Sequence, residues 1–508
     1  MTSLWRARQH PIVSSPFRPG RFDDAVVGAG ITGMLTALLL ARRGRRVVVL
    51  EAREAGSLAT GNTTGKLSLL QGSQLQTIRS HNTPAVLRAY AEANRAGQQL
   101  VLDLAEELGV AVQRRDAVSY ATTAHGRRTL EAEHRAAEAA GVPAQLVDTV
   151  PALPFPVTGA VVLPGQAQLD AMELLSALSR ALERAGGVLH EGVRVRSASV
   201  AEGAALLRTD AGDVRAERAV LATGAPVLDR GLYFAKLEPL RSYAAAFTVP
   251  GPLPDGMHLS VDQPSRSLRT ASDGDRELLI VGGEGHPVGR RARTSEAQAA
   301  LLDWTQQHFP GAERIHAWSA QDYSSPHHVP FVGWLPRGRG RLYLASGYEK
   351  WGMTNAAAAA LTLVGDLEGG TPEWARTLHH RPTMPQAVAR GIGMNAAVAW
   401  WMLKGWTAAL RAPREAPVPR EGRGSLTRRG LRPVATSTVD GRTCSVSAVC
   451  PHLGGVLGWN DAERSWDCPL HGSRFAADGA LIEGPATRDL TREDHGAVID
   501  SVAPGGRR

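Results

Sequence analysis

The sequence predicts an α/β chain with a small all-β domain at its C-terminal end. Three observations carry this. The apolar strand Ala25-Val26-Val27 runs into a glycine turn and an apolar helix, Ile31 to Arg43, and Val47-Val48-Val49-Leu50 follows as a second buried strand, which together form a βαβ opening. Strand and helix patterns then alternate to about residue 370. Beyond Pro413 the character changes: Pro417, Pro419, Gly422 and Gly424 mark a linker, and short, turn-rich strands follow.

Taken in order, residues 1–22 are polar, contain Pro11, Pro16 and Pro19, and read as a loose tail. After the βαβ opening, helical periodicity predicts helices over 84–108 and 127–141. A glycine-punctuated, strand-rich section covers 187–222, and mixed strand and turn signals fill 230–290. A helix is expected at 295–308, and another opens in the alanine run Ala356 to Ala360 and ends near Gly369-Gly370. Residues 386–412 form one connector helix, 413–425 a linker, and 426–508 the small domain. No internal repeats occur.

Composition limits the function. The 508 residues, about three domains' worth, are 43% hydrophobic and 21% charged, an ordinary globular balance. Three cysteines exclude a disulfide-built secreted scaffold. No run of 18 apolar residues predicts a membrane span, and the N-terminus lacks the apolar core of a secretory signal, so a soluble cytoplasmic protein is expected. The net charge is +8, yet only four of the 57 basic residues are lysine (Lys66, Lys236, Lys350, Lys404), and the arginines are scattered. Nucleic-acid binding calls for a clustered stripe with a recognition motif and is not expected.

Gly28-Ala29-Gly30-Ile31-Thr32-Gly33 is a G-x-G-x-x-G placed directly after a strand and opening a helix, with Glu51 closing the next strand. The glycines permit a tight turn and close approach of a pyrophosphate to the helix N-terminus. Glu51 can accept from a ribose hydroxyl and would repel a 2′-phosphate. The bland alternative is a tight turn without a ligand. A second pattern, Gly391 to Ala396, follows no credible strand and is set aside.

The region 23–385 resembles the FAD-dependent amino-acid and amine oxidases of the D-amino-acid oxidase and glycine oxidase type. The resemblance rests on four further segments: Gly61-Asn62-Thr63-Thr64-Gly65-Lys66, a position at Val195, Val220 to Pro226 with Ala222-Thr223-Gly224, and Ser346 to Asn355. It implies a Rossmann-like FAD-binding domain built from about 23–80, 150–230 and 325–370, with an inserted α+β substrate domain from about 81–149 and 231–324. It also implies FAD contacts from Gly28, Gly30, Ile31, Thr32, Gly33, Glu51, Ala52, Thr63, Thr64, Lys66, Val195, Thr223, Gly224, Gly347, Trp351, Gly352, Met353 and Thr354. Lys66, Tyr323, Lys350 and Trp351 are the candidate catalytic residues. Arg241 and Arg290 are weaker candidates for holding a substrate carboxylate.

In the C-terminal domain Cys450-Pro451-His452 and Cys468-Pro469-Leu470-His471 give C-x-H and C-x-x-H fifteen residues apart. Two thiolates and two imidazoles on matched loops suit a [2Fe–2S] cluster with both cysteines on one iron and both histidines on the other; a structural zinc site uses the same ligand types at a different usual spacing. The flanking residues resemble the Rieske ligand loops, with Gly484-Pro485-Ala486 like the covering loop. Gly455 and Leu470 stand where respiratory Rieske proteins carry a disulfide. Ser473 stands where a hydroxyl donates to a cluster sulfide. Cys444 reads as a buried strand residue, and His327-His328 and His379-His380 as loop residues. The whole resembles a bacterial family of FAD-dependent oxidoreductases with a C-terminal Rieske domain. That implies a small substrate, an amine or amino acid, and a protein or quinone-like electron partner. Two other readings stay open: a reductase or monooxygenase-like enzyme whose cluster feeds the flavin, and a non-catalytic electron-transfer or redox-sensing protein. The helix at 386–410, with the bulky cluster Trp400-Trp401, Met402 and Trp406 beside Lys404 and Arg411, reads as a connector packed between domains; a peripheral membrane contact is the alternative and is not expected.

Overall fold

The computed structural model describes residues 1–493; the end of the expected last domain, 494–508, lies outside the described residues. The first sheet forms because its strands are apolar on both faces and helices cover them. At its centre β1 (Gly20–Val27) lies parallel to β2 (Val47–Leu50) on one side and β3 (Asp213–Leu221) on the other. Val188–His190 extends it beyond β2, and Leu342–Ser346 beyond β3. All four residues of β2 are buried. Helix α1 (Ile31–Ala41) packs so closely on this sheet that a Cβ on Gly33 would stand 1.9 Å from the Gly28 carbonyl oxygen.

The second sheet has nine strands. Its edge pair is β4 (Glu238–Thr248) against β5 (Glu313–Ser324), and the order continues through Arg276–Pro287, Arg266–Asp273, Met257–Ser260, Val112–Ala121 and Gly159–Leu169 to Lys66–Leu67. Two expectations are corrected here. Gly159–Leu169 was assigned to the dinucleotide domain, but its long antiparallel pairing with Val112–Ala121 places it in the second sheet. The first residues are not a loose tail: Leu4–Ala7 is a helical turn, Leu4 and Trp5 are each 1% exposed, and the Trp5 indole N–H donates to the Thr63 carbonyl at 2.6 Å. The apolar pair in this short segment is what anchors it.

Helices fall at Pro84–Leu108 and Ser295–His308. The one expected at 127–141 begins earlier, at Ala124, because the Thr123 hydroxyl caps it by accepting from the Gly126 N–H. Helix α2 (Gly352–Glu368) and helix α3 (Pro385–Arg411) follow. Gly391 to Ala396 lies inside α3, where no strand precedes it and no turn opens. The small domain consists of a three-stranded sheet, Arg423–Arg429, Arg432–Val439 and Arg442–Ser447, and a four-stranded one running from Gly458 to Glu483. Cys444 sits in the first of these opposite Ser437 but is half-exposed rather than buried. Among the described residues no helix is long and apolar enough to cross a membrane.

Candidate active site

A cavity of about 380 Å³ opens between the two sheets. Gly28, Gly30, Ile31 and Thr32 border it at the N-terminus of α1; Glu51 and Ala52 at the end of β2; Thr63, Thr64 and Lys66 from the following loop; Val195, Thr223 and Gly224 from across the sheet; and Lys350, Trp351, Gly352 and Met353 at the start of α2. These segments are far apart in sequence and meet because parallel strands deliver their C-terminal ends to one edge. Gly33, Gly347 and Thr354 stand behind this shell. The Thr354 hydroxyl, for example, donates to Asn94 and accepts from Gln71 in the layer beneath.

The lining fits a dinucleotide. Gly30 caps α1 with no side chain of its own, and the Ile31 N–H is met by the Thr60 hydroxyl at 3.1 Å. The Glu51 carboxylate is fixed by the N–H groups of Ala29 and Arg53 at 2.8 and 3.0 Å. Two buried hydroxyls on the cavity wall, Ser57 Oγ and Ser242 Oγ, have no partner among the described residues, as expected of groups that meet a polar ligand.

The opposite end holds the titratable groups. The Lys66 ammonium donates to the His258 carbonyl at 2.8 Å and to the Ser267 hydroxyl at 2.7 Å. Burial, with the neighbouring charge of Arg269, pushes its pKa down to about 7. Burial lifts Asp322 to about 6, against the N–H donors of Tyr323 and Lys350. Lys350 Nζ and Ser242 Oγ converge over Gly285, where an added Cβ would meet them at 2.6 and 3.3 Å.

Three candidates stand elsewhere. Tyr323 does not border the cavity; its hydroxyl donates to the Gly484 carbonyl in the small domain at 3.2 Å. Arg241 points the same way, bonded to Glu463 and, at 2.6 Å, to the Ser319 hydroxyl. Arg290 donates to the Pro469 carbonyl at 2.9 Å. The reason is strand alternation. Leu240, Ser242 and Ala244 of β4, with Trp318, Ala320 and Asp322 of β5, border the cavity. Pro239, Arg241 and Tyr323 meet the small domain on the other face, and the alternation is broken at Tyr243 and Gln321, which also border the cavity. Gln321, missed as a site residue, links both: it borders the cavity, and its amide donates at 2.9 Å to the Gly472 carbonyl and to Tyr323 Oη. The sequence signal was present in the segment Trp318 to Tyr323, but nothing in it told the two faces apart.

The loop seated on that face carries Cys468 and His471; the loop with Cys450 and His452 lies beside it, against Asp229, Phe234 and Trp406. Cys450 and Cys468 are within hydrogen-bonding reach of each other, and backbone N–H groups of their own loops point at both sulfurs. The imidazoles of His452 and His471 lie 5.2 Å apart. His471 Nδ1 is buried with no partner, and His452 directs Nε2 to Asp229 at 3.0 Å, leaving its Nδ1 edge for a metal. No three metal-ligating side chains converge on one point among the described residues. Gly455 and Leu470 face each other so tightly that a Cβ on Gly455 would meet Leu470 Cδ1 at 2.6 Å.

A dinucleotide cavity with a two-cysteine, two-histidine centre docked on its wall defines a two-cofactor oxidoreductase. The model of the FAD dependent oxidoreductase family matches residues 23–365, and that of the Rieske [2Fe-2S] domain matches 415–494; the chain belongs to this oxidoreductase family and carries a Rieske domain at its C-terminal end. It is therefore an FAD- and [2Fe–2S]-dependent oxidoreductase. Over 478 residues, 93% of each chain, it is 30% identical to the putative Rieske 2Fe-2S iron-sulfur protein YhfW of Bacillus subtilis. It is 26% identical to glycine oxidase of Geobacillus kaustophilus over 68% of this chain and 93% of that one. Among solved structures, L-proline dehydrogenase from P. horikoshii shares the fold, with a TM-score of 0.60 at 20% identity over 74% of this chain and 99% of that one.

Proposed function

We propose that this protein oxidises an amino acid or related amine at the FAD site and delivers the electrons singly to the Rieske cluster. The observation that carries this reading is the seating of the Cys468–His471 loop, through Gly472, and of the Gly484 loop on the outer face of the β4–β5 wall. FAD supplies a two-electron acceptor for a C–H bond next to nitrogen, and a Rieske cluster carries one electron at a time. The external acceptor is a one-electron protein or a quinone. The protein's own groups position the substrate. Lys350 Nζ and the unpartnered Ser242 hydroxyl form a polar corner suited to a carboxylate. Lys66, close to half protonated at neutral pH, is the second cationic group of that end. A cytoplasmic location belongs to the same proposal.

Anaerobic mixing of loaded protein with a panel of amino acids and amines tests the reading. An active substrate bleaches the flavin absorbance and then produces the reduced-cluster EPR signal. Lys350→Met raises KM for the amino acid well above its effect on the corresponding amine. Bleaching by no substrate, together with efficient reduction by a ferredoxin system, would reverse the direction of flow.

A further inference from the structure

Helix α3 has two faces, and the connector role explains one. Its inward side carries Ala387, Met394 and Ala409, all buried, and packs Val398, Trp401 and Met402 on the Rieske core. It is pinned by Trp406, whose indole N–H donates to the Gly454 carbonyl at 2.9 Å, and by Asn395, which donates to the Ala235 carbonyl at 2.9 Å. The outward side carries Val388, Ile392, Trp400, Leu403 and Leu410, which are 47%, 65%, 61%, 60% and 45% exposed. At about 100° per residue these five fall within an arc of about 120°. Leu453, next to the ligand His452 in the loop held by Trp406, adds another leucine at 42% exposure.

The charges around this stripe select its partner. Between Glu373 and Glu415 the chain has no acidic residue; Arg381 and Arg390 turn inward to the Pro330 carbonyl and the Ser324 hydroxyl. Lys404 and Arg411 are exposed and flank the stripe on one side. A second copy docked about a two-fold axis would set two acid-free, cationic helices against each other. A bilayer with anionic headgroups supplies both the missing negative charge and an apolar layer for the tryptophan and leucines. The helix is not apolar enough to cross a membrane, so it lies along the surface.

We propose that α3 is an interfacial helix that seats the protein on an anionic lipid surface through Val388, Ile392, Trp400, Leu403 and Leu410, with Lys404 and Arg411 at the headgroups. The inference is independent of the substrate and of the direction of electron flow.

Co-sedimentation of the full-length, cofactor-loaded protein with vesicles tests it. Vesicles of phosphatidylglycerol and phosphatidylcholine should retain the protein at low salt and release most of it at high salt. Pure phosphatidylcholine should bind at least about ten-fold more weakly. The double variants Trp400→Gln/Leu403→Gln and Lys404→Glu/Arg411→Glu should each lose binding by a similar factor while keeping the visible spectrum of both cofactors. Equal binding to the two vesicle types, or none, overturns the proposal. So does a dimer in sedimentation equilibrium that Trp400→Gln/Leu403→Gln dissociates, since a second copy would then occupy the face.

Discussion

Lys66 shows how a single buried residue joins stability to chemistry. Its ammonium is held by one carbonyl and one hydroxyl, with no carboxylate within bonding distance, and burial favours the neutral amine. The ordinary lysine value is 10.5 and the folded value about 7. Between these values the unfolded chain binds the proton that the folded one has lost, so stability rises as pH increases from about 7 to about 10.5. Lys66→Met should flatten that part of the stability–pH curve, measured by thermal melting of the flavin-loaded protein. If Lys66 also binds substrate, a limb near pH 7 in kcat/KM should vanish in the same variant; a limb that persists would leave it a purely structural lysine.

At the scale of the element, β4 and β5 stand between the cavity and the Cys468–His471 loop, while the small-domain segment Ile482 to Thr487 reaches the cavity directly. Gln321 is the crossing point of this wall, because one amide group joins Gly472 in the cysteine–histidine loop to Tyr323 Oη. Gln321→Leu leaves a buried carbonyl without its donor, at a cost of about 1–3 kcal/mol. The expected outcome in stopped-flow is unchanged flavin reduction by substrate with cluster reduction slowed several-fold. Equal slowing of both phases would mean general damage to the wall.

The same strands show what was legible in the sequence. The turn Gly28 to Gly33 and the loops around Cys450 and Cys468 could be read because each places its chemistry within a few consecutive residues. Arg241 and Tyr323 could not be placed. Period-two alternation says that they share a face of their strands but not which domain lies against it, and Arg241 meets its carboxylate 222 residues away. Trp5 was misjudged because prolines and polar neighbours dominate the segment, while two apolar side chains decide where it goes. The outward stripe of α3 was visible as composition, but only packing showed which side stays uncovered.

For the whole molecule, docking rests on a buried charge network. Glu463 bonds Arg241 from the flavin side and Arg474 from its own domain, the latter at 2.6 Å. Burial raises its pKa, but the two guanidinium groups outweigh this and hold it at about 2, below the ordinary 4.5. Its contribution is complete above pH 4.5 and is lost as pH falls through about 2. Glu463→Gln should loosen the Rieske domain at neutral pH, since breaking a buried pair costs about 3–5 kcal/mol. Limited proteolysis in the 413–422 segment should then be faster, with flavin content retained. Protection equal to that of the parent protein would show that the other contacts suffice.

Because the wall they form faces both ways, β4 and β5 carry two interleaved messages. Leu240, Ser242, Ala244 and Asp322 border the cavity, whereas Pro239, Arg241 and Tyr323 meet the Rieske domain, so the two sets can be rewritten separately. An engineer who replaced only Pro239, Arg241 and Tyr323 could fit a different electron-carrying domain to the same flavin site, provided the register stayed fixed; a slip of one residue would exchange the two messages.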